Sequence, residues 1–310
     1  MAAAFRNAVD NTAVQEVKMG ENQKKNFREL LEWAVSFLKD REVPEARRDA
    51  WLLMEEVFEV TRSWFFAHGE NVPGEEQIRR YEWLVEQRGR RIPLQQLTGT
   101  AWFYGMPFLV NEHVLIPRQD TEILVEEARK RIRPGMRILD LCTGSGCVLL
   151  ALLASCEQVT GTGVDLSGEA LAVAEKNARN LKIPAEFLQS DLFEQVQGVY
   201  DIIVSNPPYI RTEVIPTLMP EVREHEPWMS LDGKEDGLYF YRKILDGIRR
   251  FLCPGGWICF EIGYDQGEDL KKLMKEHGLE RIEIVRDLAG LDRTALGRIP
   301  ETDLDGTCRI

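Results

Sequence analysis

The residues best suited to chemistry are the tetrapeptide Asn206-Pro207-Pro208-Tyr209, which directly follows an apolar run. An amide nitrogen is a poor nucleophile because its lone pair is delocalised, and two acceptors that hold its hydrogens help it pyramidalise. Asn206 offers its side-chain oxygen and Pro207 its backbone oxygen, the second proline keeps the turn stiff, and Tyr209 offers an aromatic face to a planar group. The tetrapeptide predicts a catalytic site that acts on a planar NH₂ group by orientation and preorganised dipoles, without a general base. The alternative is a turn that only ends a strand, because Asn and Pro are common turn residues.

A glycine-rich loop earlier in the chain predicts a nucleotide-like ligand. The residues expected to bind it here are Asp140, Cys142, Thr143, Gly144, Ser145 and Gly146. The two glycines let the backbone approach a ligand closely. Asp165, 25 residues after Asp140, can accept hydrogen bonds from both hydroxyls of a ribose, while Asp191 with Leu192 is placed for a purine.

Two cofactors compete for such a loop, a nicotinamide dinucleotide and S-adenosylmethionine. The dinucleotide fingerprint requires a third glycine where this chain has Leu149, and the Gly-Lys-Ser/Thr ending of a phosphate-binding loop is absent. A structural turn beside solvated acids is the simplest alternative. The three acidic residues together disfavour that alternative, and the missing third glycine favours S-adenosylmethionine over the dinucleotide.

Alternating strands and helices are predicted to position these residues. The predicted strands are Arg137–Cys142, Thr160–Asp165, Ala185–Gln189, Tyr200–Ser205 and Trp257–Ile262, and the predicted helices include Val148–Ala154, Ala170–Asn180 and Leu238–Phe251. Such alternation is typical of a mostly parallel sheet covered by helices, whose ligands bind at the carboxyl ends of the strands. The glycine loop and the tetrapeptide would then share one edge of the sheet.

The rest of the chain suggests a second, smaller domain. We predict a loose extension over residues 1–20, a helical domain over 21–98, a β-hairpin linker over 99–117 and the α/β domain over 118–310. Apolar residues recur every three or four positions in the helical part, and aromatic and β-branched residues broken by Gly105-Met106-Pro107 mark the hairpin.

The charge distribution favours a protein substrate. The net charge is −12, and residues 1–100 carry 15 basic and 17 acidic groups against 24 and 34 in the remainder. An acidic catalytic half disfavours a nucleic-acid substrate, since non-specific binding of phosphates needs cations. Six scattered cysteines and four scattered histidines predict no metal site. No apolar run approaches the ~20 residues of a membrane helix and the polar start is unlike a signal peptide, so we expect a cytoplasmic protein that contacts no membrane.

These motifs resemble the release factor glutamine methyltransferases over about residues 27–298. The tetrapeptide alone is shared with DNA adenine methyltransferases and with several ribosomal RNA and protein methyltransferases. The more specific segments are Leu97-Thr98-Gly99, Phe103-Tyr104-Gly105 with Phe108, Ile116–Glu122, Glu226-Pro227, Leu231-Asp232-Gly233, Asp236-Gly237-Leu238, Glu261-Ile262-Gly263 with Gln266, and Asp287–Gly290 with Arg293 and Gly297-Arg298. Gln119 stands where proline is usual, Cys142 where glycine is common, and Leu192 where some members have tryptophan.

The resemblance implies a Rossmann-like class I methyltransferase fold with a helical amino-terminal domain. S-adenosylmethionine would be held by Thr143–Gly146, Asp165 and the pair Asp191–Leu192, with Phe103 as a candidate lid. The acceptor would be the glutamine of the Gly-Gly-Gln loop of peptide chain release factors, held by Asn206 and Pro207, while the helical domain docks the rest of the factor. We expect a monomer.

Two other functions stay open at this stage. One is adenine methylation of a nucleic acid, although the 19 residues from Tyr209 to Trp228 leave little room for a target-recognition insertion. The other is a non-catalytic protein that only binds S-adenosylmethionine. Five arginines, Arg79, Arg80, Arg88, Arg90 and Arg91, are expected on a solvated helix face, with contact to an acidic factor surface as the alternative. Arg118, Asp120 and Glu122 are expected to order loops or join domains, and Glu261 to order the edge of the donor pocket.

Overall fold

The computed structural model describes residues 25–301, and its first part is helical. The helices are α1 (Phe27–Lys39), α2 (Ala46–Phe58), α3 (Arg62–His68), α4 (Glu75–Gly89) and α5 (Leu94–Thr98). Asn26 begins α1 with a capping box, since its side chain accepts from the amide of Glu29 and the Glu29 carboxylate accepts from the Asn26 amide, each at 2.9 Å. The apolar faces of α1, α2 and α4 form a separate core that includes Leu30, Leu53 and Tyr81. The helical bundle predicted from the apolar spacing is present.

A two-stranded hairpin follows, with β1 (Thr100–Phe103) antiparallel to β2 (Met106–Leu109). Its turn is Tyr104-Gly105, both at positive φ (50° and 74°), as two-residue hairpins with the right-handed twist require. The hairpin packs on the α/β part: Asn177 accepts from the Leu109 amide at 2.7 Å and donates to its carbonyl at 3.1 Å.

The remaining elements form a seven-stranded sheet flanked by helices. They are α6 (Thr121–Arg129), β3 (Arg137–Leu141), α7 (Cys147–Ser155), β4 (Thr160–Asp165), α8 (Gly168–Leu181), β5 (Glu186–Gln189), β6 (Tyr200–Ser205), α9 (Pro220–Arg223), α10 (Tyr239–Gly247), β7 (Leu252–Glu261), α11 (Gly267–Glu276), β8 (Glu280–Arg286) and β9 (Asp292–Arg298), with 3₁₀ turns at Ile215–Thr217, Trp228–Ser230 and Ile248–Arg250. The strand order is β5-β4-β3-β6-β7-β9-β8. The pairs from β5 to β7 are parallel, and β9 runs antiparallel to both of its neighbours.

This sheet confirms the predicted α/β fold and its five parallel strands, with differences at the edges. Strands β8 and β9 were outside the prediction, β7 begins at Leu252 rather than Trp257, and the helix predicted over 238–251 ends at Gly247 before a 3₁₀ turn. No helix between residues 25 and 301 is long and apolar enough to cross a membrane. The predicted extension over residues 1–20 lies outside the described residues.

Buried ion pairs join the helical part to the sheet part, which corrects the expectation for two arginines. Arg88 is buried and donates to Asp49 at 2.7 Å and to Glu221 at 2.8 Å, and Arg91 donates twice to Glu221, at 2.7 and 2.6 Å. Neither arginine lies on a solvated helix face, because both bind the Glu221 carboxylate of α9 where the helical part contacts the sheet part. Arg79, Arg80 and Arg90 are exposed as expected.

Candidate active site

The carboxyl ends of β3, β4 and β6 open into one cavity of about 310 Å³. The structure brings most of the predicted site residues to its wall: Asp140, Cys142, Thr143, Gly144, Ser145, Asp165, Asp191, Leu192, Asn206 and Pro208. Gly146, Pro207 and Tyr209 are not among the lining residues, although Pro207 stands between two of them, Asn206 and Pro208. Phe103 also does not line the cavity: its side chain is 1% exposed and packs on Phe108 in the apolar core. Phe103, the candidate lid, therefore does not cover the cavity in this structure.

The backbone conformation of the glycine loop explains why glycine occupies positions 144 and 146. Gly144 and Gly146 have φ values of +54° and +78°. A Cβ at Gly146 would lie 3.2 Å from the Cβ of Ala174, so this glycine lets α7 begin close against α8. A Cβ at Gly144 would meet nothing within 4 Å, so the loop leaves space on its cavity side. Gly146 thus serves packing, and Gly144 faces the ligand space.

Two carboxylates organise the loop, the buried Asp140 and the half-buried Asp165. Asp165 accepts from the amide of Gly144 at 2.8 Å and from the amide of Ser167 at 3.0 Å, and burial raises its pKa against the effect of these hydrogen bonds. Asp140 accepts from the hydroxyl of Thr143 at 2.6 Å. Burial raises the pKa of Asp140 to about 7, although the Thr143 hydrogen bond lowers it. This wall of the cavity is therefore held by its own hydrogen bonds.

The tetrapeptide is tied to the loop through the sheet. The Ser205 hydroxyl at the end of β6 donates to the carbonyl of Leu141 at 2.7 Å, across the β3–β6 pairing. The next side chain, Asn206, is half-buried on the cavity wall. No hydrogen bond joins the Asn206 amide to any other residue of the 25–301 segment. Its oxygen and its NH₂ group are free for a ligand.

The last residue of the tetrapeptide, Tyr209, is held at both ends. Its hydroxyl donates to Oε1 of the buried Glu261 at 3.2 Å, and its carbonyl accepts from Nε2 of Gln266 at 3.1 Å. Gln266 also donates to the Gly237 carbonyl at 3.2 Å, and its Oε1 accepts from the Gly263 amide at 2.9 Å. A Cβ at Gly237, whose φ is +75°, would lie 2.4 Å from the Tyr209 carbonyl oxygen. The aromatic ring therefore belongs to the support of the turn, a role that the sequence motif alone did not indicate.

Glu261 does lie beside the site, and its surroundings are polar but incompletely paired. Its Oε2 and the hydroxyls of Thr121 and Thr294 are buried, and none of them has a hydrogen-bond partner within residues 25–301. Thr294 is the register partner of Glu261 in β9. Burial raises the pKa of Glu261, with Tyr209 among the groups that oppose the rise. Thr121 lines the cavity and is also among the groups that lower the pKa of Glu261, so the buried carboxylate lies just behind the wall.

The motif around Arg118 makes the contacts expected of it. Arg118 lines the cavity and donates to both carboxylate oxygens of Glu226, at 2.7 and 2.6 Å. Glu122 accepts from the Tyr104 amide in the hairpin turn at 2.8 Å, and Asp120 pairs with Arg293 at 3.3 Å. The cavity wall formed by Pro227–Ser230 was missed, and the Glu226-Pro227 motif was the signal that could have indicated it.

The sheet order, the antiparallel β9 and the glycine loop after the first parallel strand define a class I methyltransferase. The hMettl16 catalytic domain, solved in complex with the MAT2A 3'UTR hairpin 6, shares this fold: the TM-score is 0.51 at 15% identity, over 76% of this chain and 84% of that one.

Sequence relatives are more specific than the fold. Residues 29–99 match the family described as PrmC N-terminal domain, and residues 118–220 match the methyltransferase small domain. The release factor glutamine methyltransferase of Geobacter sulfurreducens is 37% identical over 88% of this chain and 96% of its own length. That of Caulobacter vibrioides is 42% identical over 84% and 92%. The chain belongs to the release factor glutamine methyltransferase family and is a protein-glutamine methyltransferase.

Proposed function

We propose that this enzyme transfers a methyl group from S-adenosylmethionine to the side-chain amide nitrogen of the glutamine in the Gly-Gly-Gln loop of peptide chain release factors. One observation carries the proposal: the Asn206 amide, to which no residue of the 25–301 segment hydrogen-bonds, lines the same cavity as Asp165 and Gly144. The names of the relatives support release factors as the substrate. The excess of acidic groups after residue 100 supports a protein substrate over a nucleic acid. We also place the enzyme in the cytoplasm, as a monomer.

The donor side of the cavity fits S-adenosylmethionine. Gly144 leaves open space on its cavity side, so backbone can approach a ligand there. Each oxygen of the Asp165 carboxylate accepts one amide hydrogen bond and keeps a further lone pair for a ribose hydroxyl. Asp191 and Leu192 would flank the adenine, and the bound donor would supply a methyl group on a sulfonium, which is a good electrophile.

The acceptor side would act through orientation. The side-chain oxygen of Asn206 and the carbonyl of Pro207 would each accept one hydrogen of the substrate NH₂, which turns the nitrogen lone pair toward the methyl group. Pro207 and Pro208 keep φ fixed, so the acceptors do not reorganise during the reaction. The methylated nitrogen would then lose its surplus proton readily, and no side chain has to act as a general base.

Methyl transfer from labelled donor to a purified release factor tests this function. Label should enter the factor and disappear when the factor's loop glutamine is replaced by alanine. The Asn206→Ala enzyme is the matched control, because it should still bind the donor. Label that persists on the glutamine-free factor, or that enters adenine of added DNA instead, would refute the assignment. A protein that binds the donor and methylates nothing would support a non-catalytic role.

A further inference from the structure

A segment of residues 220–230, here called the strap, runs from the helical domain to the cavity. At its start Glu221 pairs with Arg88 and Arg91 of the helical domain, at 2.8 and 2.6 Å. Midway, Glu226, whose side chain is 1% exposed, pairs with Arg118 on the cavity wall at 2.6 Å. The strap is thus fixed by two of its own buried carboxylates, one paired with the helical domain and one with the cavity wall.

Beyond the second anchor the strap presents two large apolar side chains. Trp228 is 49% and Met229 46% exposed, and both line the same cavity as Asn206. The backbone beneath Trp228 is ordered, since its carbonyl accepts from the amides of Leu231 at 3.0 Å and Asp232 at 3.1 Å. A half-exposed indole on a fixed backbone contacts a partner with little loss of conformational entropy, and tryptophan is enriched where binding energy concentrates.

We propose that Trp228 is a specificity-determining residue that contacts the glycine backbone next to the target glutamine of the substrate loop. This proposal rests on the proposed function, because it takes the Gly-Gly-Gln loop as the occupant of the cavity mouth. Trp228 lines the same cavity as Asn206. A chain whose glutamine amide reaches Asn206 would therefore bring a neighbouring residue to the indole, and we assign the glycine before the glutamine to that contact.

An indole at this position would favour glycine in the substrate, because glycine lets the backbone approach the ring closely. Backbone without a Cβ can lie flat against an aromatic ring, whereas a methyl group at the same position holds the backbone away. The target amide would then be displaced from Asn206, and small displacements of a reacting group are costly in rate. The strap would thereby select substrates by the residue next to the glutamine, whereas the tetrapeptide would bind only the NH₂ group of the glutamine.

A double-mutant cycle between enzyme and substrate tests the contact. The enzymes are the wild type, Trp228→Ala, Trp228→Phe and, as a matched control, Trp102→Ala, whose indole is 69% exposed and does not line the cavity. The substrates are a full-length release factor and the same factor with the glycine before the glutamine replaced by alanine. Steady-state methylation with labelled donor gives kcat and KM, and calorimetry gives donor affinity.

With the native factor, Trp228→Ala should raise KM about 10-fold and leave donor affinity unchanged, whereas Trp228→Phe and Trp102→Ala should stay within about threefold of the wild type. The glycine-to-alanine change should cost the wild type about 10-fold in kcat/KM and Trp228→Ala less than about threefold, because the two changes remove one contact.

Three results would overturn the inference: equal penalties for the glycine change in both enzymes, a Trp228→Ala enzyme no different from Trp102→Ala, or weakened donor binding in Trp228→Ala. Failure of the wild type to methylate the native factor would instead overturn the proposed function, and the inference with it.

Discussion

The cavity has a donor wall, formed by Asp140, Thr143, Gly144 and Asp165, and an acceptor wall, formed by Asn206 and Pro208. The two walls differ in how many of their polar groups already have hydrogen-bond partners. On the donor wall, Asp165 already binds the amides of Gly144 and Ser167, and Asp140 binds the Thr143 hydroxyl. On the acceptor wall, no residue of the 25–301 segment hydrogen-bonds to the Asn206 side chain, although the neighbouring turn is firmly held.

This difference suggests that the donor wall serves to bind the donor and the acceptor wall serves the methyl transfer step. A wall whose acids are paired within the protein keeps its shape without a ligand, and the ligand adds hydrogen bonds to the lone pairs that remain. A wall with one unpaired amide on a rigid turn has its strongest interactions still to form, and it forms them with the reacting group. Substitutions on the acceptor wall should therefore lower turnover, and substitutions on the donor wall should lower donor affinity.

The largest effect is expected at Asn206. Asn206→Ala removes one oriented acceptor of the reacting NH₂ group, so kcat should fall 100-fold or more while the dissociation constant of the donor stays within about threefold. Steady-state methylation of a release factor and calorimetric titration of the donor measure the two quantities. A comparable loss of kcat and of donor affinity would contradict the separate roles of the two walls.

Gln266 tests whether support behind the turn matters for rate. Gln266→Ala removes the donors to the carbonyls of Tyr209 and Gly237, and we expect kcat to fall about 10- to 30-fold with little change in donor affinity.

Gln266→Glu separates positioning from general loss of stability. The new carboxyl group would face the same two carbonyl oxygens, which together with burial raise its pKa. Its protonated form donates one hydrogen bond and its ionised form donates none, so turnover relative to the wild type should recover as the pH falls from 8 to 6. A ratio of variant to wild type that does not change with pH would assign Gln266 a purely structural role.

Asp165 should show the opposite pattern, with a smaller effect. Asp165→Ala removes the proposed ribose acceptor and releases the amides of Gly144 and Ser167, so we expect the donor to bind about 10-fold more weakly. At saturating donor, kcat should remain within about threefold of the wild type. Asp165→Asn, which keeps one acceptor oxygen, should fall between the two. Unchanged donor affinity in Asp165→Ala would contradict the role of this wall.

The parts of the site that were predicted from sequence are those with local signals. An apolar run followed by a polar residue marks the end of a parallel strand, which is why Asp165, Asn206 and the glycine loop were found. Strand β8 was missed because it lies at the edge of the sheet and its residues, ERIEIVR, are mostly charged and at least partly exposed. Propensity alone does not separate such a segment from a solvated loop.

The supporting contacts could not be predicted because they join distant parts of the chain. Gln266 reaches Tyr209 across 57 positions, and Arg91 reaches Glu221 across 130. An arginine in a charged helix looks solvated until the fold brings a carboxylate to it. For the same reason Phe103 looked free to cover a ligand, although the hairpin buries it against α6 and α7.

The smallest effect on turnover is expected at Glu221, which lies outside both walls. Glu221→Gln removes the charge that pairs with Arg88 and Arg91, so kcat and donor affinity at 25 °C should stay within about twofold of the wild type while the free energy of unfolding falls.

Burial opposes ionisation of Glu221, but the hydrogen bonds from Arg91 and Arg88 prevail and lower its pKa to about 2, below the ordinary 4.5. A carboxylate with a lowered pKa stabilises the folded state above its unfolded pKa, and that contribution is lost as the pH falls toward 2. Chemical unfolding of both proteins should therefore show a stability difference that is full at pH 7 and shrinks below pH 4.5. A stability difference that does not change with pH would mean that the charge of Glu221 does not stabilise the junction. A large loss of kcat would mean that contacts to the helical domain also position the reacting group.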